Sequence, residues 1–143
     1  MSGVAINIEA EFKPIYEVFD NMIEAGLDTG ELMDMVGLEM VGSTVDRFRT
    51  STAPDGSAWK PVKRGGTPLV DQGLLRGSIT HLHDQDEVEW GTNSIYGAIH
   101  QFGGQAGRNH AVTIDARPYV GVSDDDEELI QDVAYDFLED IHS

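Results

Sequence analysis

Four glycine-hinged phrases constrain this chain more than any other feature. They are Pro54-Asp55-Gly56-Ser57-Ala58-Trp59-Lys60-Pro61, Leu69-Val70-Asp71-Gln72-Gly73-Leu74-Leu75-Arg76-Gly77-Ser78-Ile79, Tyr96-Gly97-Ala98-Ile99-His100-Gln101-Phe102-Gly103-Gly104 and Ala116-Arg117-Pro118-Tyr119-Val120-Gly121. Each sets glycines beside a bulky aromatic or an arginine. Glycine at such points serves a positive φ or a close approach that no side chain permits. Four such segments in order imply one compact architecture, a single domain spanning residues 1–143.

The remaining chain supplies regular elements. Val4, Ile6 and Ile8 alternate as a strand does. From Glu11, Phe12, Ile15, Tyr16, Phe19, Met22 and Ile23 share a helical face, with Pro14 tolerated in the first turn and Gly26 as the stop. Asp28 and Glu31 resemble a capping box opening a second helix that runs to Arg49. Its Gly37 and Gly42 lower helix propensity and point to close packing against a neighbour. Residues 50–68 read as a loop pinned to the core by Trp59. Leu69 to Arg76 form a short helix ending at Gly77. Ser78–His83 and Glu87–Gly91 form a hairpin. A brief helix follows Ser94 and stops at Gly103-Gly104, and His110–Ile114 form a strand. Ser123 caps a final helix, whose first turn holds Asp124 to Glu128 and whose apolar face holds Leu129, Ile130, Val133, Phe137, Leu138 and Ile141. The expected fold is α+β: a small, mostly antiparallel sheet from residues 4–9, 78–83, 87–91 and 110–115, packed against two N-terminal helices and one C-terminal helix.

Charge restricts the partners. The formal net charge is −17, from 26 acidic and 9 basic residues. Such a surface repels nucleic-acid phosphates. Six of the bases fall between residues 47 and 76, and Arg47, Arg49, Lys60, Lys63 and Arg64 make a candidate basic contact loop. Cysteine is absent, so disulfide and thiolate chemistry are excluded. No apolar run approaches the roughly 18 residues of a membrane span, and the start lacks the features of a signal peptide. Synthesis in a reducing cytoplasm fits.

No catalytic constellation emerges, and no cofactor is expected. There is no Gly-x-Ser-x-Gly elbow. His81 and His83 share one face of a strand, a spacing able to chelate a metal, with His100 or His110 as a third ligand. A solvated strand face is the simpler reading, and no metal site is assigned. The run Asp124–Glu128 lacks the spacing of a calcium loop and reads as helix capping.

In order and spacing the four phrases, with Phe48, Val88 and Gly91-Thr92-Asn93, resemble the phage virion morphogenesis family, a tail-completion group of Mu-type and P2-type phages. The resemblance covers about residues 4–141. The stretch from Lys60 to Pro68 is shorter than the basic insertion common there, and Asp115 stands where proline usually precedes Ala-Arg-Pro. The resemblance implies a structural, non-enzymatic protein of the neck or head-proximal tail end. It would form a homo-oligomeric ring, often hexameric, that joins tail to head, or a tail terminator capping the tube. Its partners would be copies of itself and neck, connector, tube or sheath proteins, with DNA passing through without specific binding. It would be assembled in the host cytoplasm and carried in the virion. Trp59, Arg76, Tyr96, His100, Phe102, Arg117 and Tyr119 are then candidate interface or fold-pinning residues. A small metal-dependent hydrolase using His81, His83 and His100 is the alternative from another class.

Overall fold

A computed structural model describes residues 4–7, 21–22, 24–61, 73–85, 87–94, 97–106, 109 and 112–142. Its elements are β1 (Val4–Asn7), α1 (Gly30–Thr50), α2 (Gly73–Gly77), β2 (Thr80–His83), β3 (Val88–Thr92), α3 (Gly97–Phe102), β4 (Gly104–Ala106), β5 (Val112–Ile114) and α4 (Asp124–His142). The fold is α+β. The expected helix from Glu11 lies almost wholly outside the described residues, as do Leu69 to Gln72.

Helix α1 is the spine. Leu32, Met33, Val36 and Met40 are fully buried because both flanks of the helix are covered. One flank packs on β2 and β3, the other on α4. From α4, Ile130, Val133, Ala134 and Phe137 recur at helical spacing and meet Val88 and Trp90 of the sheet in one apolar cluster. Each such side chain, fully buried, contributes about 1.5–3 kcal/mol. Asp28 Oδ1 accepts from the Gly30 amide at 3.0 Å. The residue preceding the helix is Thr29, whose hydroxyl donates to the Gln85 carbonyl and ties the helix start to the β2–β3 turn. The expected Asp28–Glu31 capping box is therefore replaced by an Asx turn and this tie. The helix ends as Ser51 adopts a left-handed conformation at φ 56°.

The sheet is antiparallel in the order β1-β3-β2, with His81 opposite Trp90 and Ile6 opposite Trp90 on the other side. The expected hairpin of residues 78–91 is present, but the expected fourth strand is not in this sheet. β5 pairs instead with β4, Gly104 opposite Ile114, as a separate two-stranded ribbon. Gly103 makes that ribbon possible. Its φ is 73°, and a methyl group there would stand 2.9 Å from the Ala116 backbone nitrogen. The chain can leave α3 and turn directly back along β5 only without a side chain at this point.

Gly37 also meets its expectation of close packing: a methyl there would stand 2.3 Å from the His81 ring. Gly42 does not, since a methyl there meets nothing within 4 Å.

Candidate functional site

The four phrases converge at the C-terminal end of α1. Phe48 is the centre of a second apolar cluster with Ala53, Trp59, Leu75, Ile79, Tyr119 and Val120. The Trp59 ring meets Phe48 edge-on at 5.6 Å, and Tyr119 meets it tilted at 5.4 Å. Their polar ends are all engaged. Trp59 Nε1 donates to the Pro118 carbonyl at 2.7 Å. Tyr119 Oη donates to the Gly97 carbonyl at 2.7 Å, and burial pushes its phenol far above the ordinary range.

Hydrogen bonds lock the phrases to one another. Gln101 Oε1 accepts from the amides of Tyr119 and Val120, both at 3.0 Å, while its Nε2 donates to the Val120 carbonyl at 2.9 Å. The Arg117 amide donates to the His100 carbonyl at 2.8 Å. Arg117 Nε and Nη2 donate to the carbonyls of Lys60 and Pro61 at 2.9 and 3.2 Å. Satisfying so many backbone groups in an irregular region is what makes it rigid.

Below this node, Arg47 Nη1 donates to the Tyr119 carbonyl at 2.8 Å and Nη2 pairs with Asp126. Asp126 also accepts from Ser43, and exchanges hydrogen bonds with Ser123 as a reciprocal helix cap. The expected cap at Ser123 is present, with Asp126 in a second role that capping alone does not require. Arg47 is thus no member of a basic contact loop: it lies on α1, buried. Arg49 is exposed on α1 and pairs with Asp46 at 2.8 Å. Lys60 is exposed and stands 3.6 Å from Asp115. Lys63 and Arg64 lie outside the described residues, as does Tyr96.

Of the other candidates, Trp59, Arg117 and Tyr119 are buried, while Arg76 is exposed. Phe102 is 72 % exposed at the end of α3. His100 is buried, its Nδ1 without a partner among the described residues. Desolvation, and then the Arg117 charge, hold its imidazole below the ordinary range. Beside the node an open groove of about 600 Å³ runs between the Pro54 turn and the segment from Pro118 to Asp124.

The strand face that carries His81 and His83 is only partly solvated: 15 % of the His81 side chain and 37 % of the His83 side chain are exposed. Both turn towards α1, where Asp34 Oδ1 lies 2.7 Å from His81 Nε2 and 3.4 Å from His83 Nδ1. The hydrogen bond from His81 leads in holding the Asp34 carboxyl below its usual value, with the His83 and His81 charges adding to it. His100 does not join this group. Asp34 carries no signal in the sequence, being one of 26 acids. Gly37, one turn further along α1, was the legible trace of a ring seated there.

A model of the phage virion morphogenesis family matches residues 10–139. The chain belongs to the phage virion morphogenesis family. It is 38 % identical over 131 residues to Mu-like prophage FluMu G protein 2 of Haemophilus influenzae, an alignment covering 88 % of this chain and 93 % of that protein. No solved structure matches it significantly. Membership gives the chain a role in virion morphogenesis, and several of the residues that carried the resemblance, among them Trp59, Leu75, Gln101, Arg117 and Tyr119, build the node around Phe48. No described helix is long and apolar enough to cross a membrane.

Proposed function

We propose that this protein is a structural, non-enzymatic component of the neck or head-proximal tail end, which completes the tail and joins it to the head as a homo-oligomeric ring. The observation that carries this reading is membership of the family over nearly the whole chain. The fold supports it physically. The glycine-hinged loops are spent on internal locking, so they present a stiff body rather than a reactive cleft. Phe102 and Leu82 project from that body, 72 % and 58 % exposed. Leu82 lies on β2, an edge of the sheet whose outer side has no partner strand among the described residues. Rigid apolar projections beside an open strand edge suit docking to copies and to neighbouring virion proteins. The acidic surface keeps a ring from adhering to the DNA it surrounds.

Deleting the gene from an inducible phage tests this. Electron microscopy of the lysate should show complete heads and complete tails that remain unjoined. Overlong tubes would assign the protein to tail termination instead. Normal infectious particles would reject both.

A further inference from the structure

We propose that Asp34, His81 and His83 form a binding site for a zinc-class divalent cation, with three protein ligands and a fourth position open to solvent. The site is independent of the neck assignment. One ligand atom from each residue lies within 4.8 Å of the others. Bonds of about 2.0–2.2 Å in a tetrahedral zinc site put ligand atoms roughly 3.3–3.5 Å apart. The 3.4 Å between His83 Nδ1 and Asp34 Oδ1 already has that value. The 2.7 Å between His81 Nε2 and Asp34 Oδ1 is a hydrogen bond that the ion would replace.

The donor set selects the metal class. Two imidazoles with one carboxylate suit zinc and its first-row neighbours, whereas magnesium and calcium require oxygen. The arrangement is also held in place before any ion arrives. His81 is seated over Gly37, with only 15 % of its side chain exposed. The two rings lie 6.0 Å apart and within 21° of parallel. Their alternation on β2 turns both towards α1. One carboxylate oxygen faces both rings, so a single ion lies within reach of all three donors. The ion would staple β2, an edge strand of the sheet among the described residues, to α1.

Chelator-treated full-length protein titrated calorimetrically with Zn²⁺ at neutral pH should bind one ion, and Mg²⁺ should give no comparable heat. Co²⁺ should bind in its place and develop the strong visible d–d absorption of tetrahedral coordination. Asp34→Asn and His83→Ala, both at partly exposed positions, should each fold with unchanged circular dichroism. Each should weaken Zn²⁺ binding by more than about tenfold, the loss already typical of residues that only orient a ligand. Glu139→Gln, at an exposed carboxylate of α4, should bind as the parent does. Absence of saturable binding, equal binding of Mg²⁺, bound Co²⁺ without those bands, or binding that survives both ligand substitutions would overturn the site.

Discussion

Arg47 and Asp126, 79 residues apart, share a buried ion pair that fastens the end of α1 to the start of α4, with 7 % and 4 % of their side chains exposed. Neither charge stands alone: Arg47 also donates to two backbone carbonyls, and Asp126 also caps α4. Removing one partner strands the other in a dry site. Arg47→Met should therefore cost about 3–5 kcal/mol in denaturant unfolding. Replacing both residues by apolar side chains should recover part of that loss, because two desolvation penalties vanish together. A single substitution within about 0.5 kcal/mol of the parent would show that the pair is solvated.

The two helical glycines of α1 should respond oppositely to alanine. Gly42 has open space around the position of a methyl group. Gly42→Ala should stabilise the protein by about 0.5–1 kcal/mol through helix propensity alone. At Gly37 the methyl would displace the His81 ring and its bond to Asp34. Gly37→Ala should destabilise by about 1–3 kcal/mol, as overpacking does. Paired thermal melts decide both.

These contrasts mark what a sequence can reveal. Leu32, Val36 and Met40 repeat at helical spacing, and so do Ile130, Val133 and Phe137, so α1 and α4 were legible as amphipathic elements. The hairpin was legible from alternation on either side of an acidic turn. β4 was not: Gly104-Gln105-Ala106 has neither alternation nor β-branched residues, and Gly103-Gly104 looks only like a helix stop. With its true partner hidden, β5 was placed in the wrong sheet. Arg47 reads as part of a basic contact loop because its partner lies 79 residues away. Asp34 was hidden in the same way, since only the packing of α1 on β2 singles it out.

His100 predicts a pH dependence. Its imidazole is held below the ordinary value of about 6.5 by burial first and by Arg117 second. Between the unfolded and the folded pKa the unfolded chain binds the extra proton, so stability falls as pH drops below about 6.5 and levels off only beneath the lowered native value. His100→Gln should flatten this part of the curve. The two proteins share every other titratable group, so the difference between the two curves isolates His100. Parallel curves from pH 7.5 to 5 (roughly the histidine window) would show that His100 is not buried in solution.

Trp59 and Phe102 separate folding from docking. Trp59 is buried against Phe48 and donates to Pro118, so Trp59→Ala should cost about 3–5 kcal/mol and lower the yield of folded protein. Phe102 is exposed, and Phe102→Ser should leave stability within about 0.5 kcal/mol of the parent. If Phe102 docks onto a neighbouring subunit or virion protein, that soluble, stable variant should nonetheless fail to complement a deletion phage. Plaque titre beside a melting curve reads both quantities. Full titre with Phe102→Ser would remove this residue from the docking surface, and a collapsed melting temperature would mean that the ring is covered by its own chain.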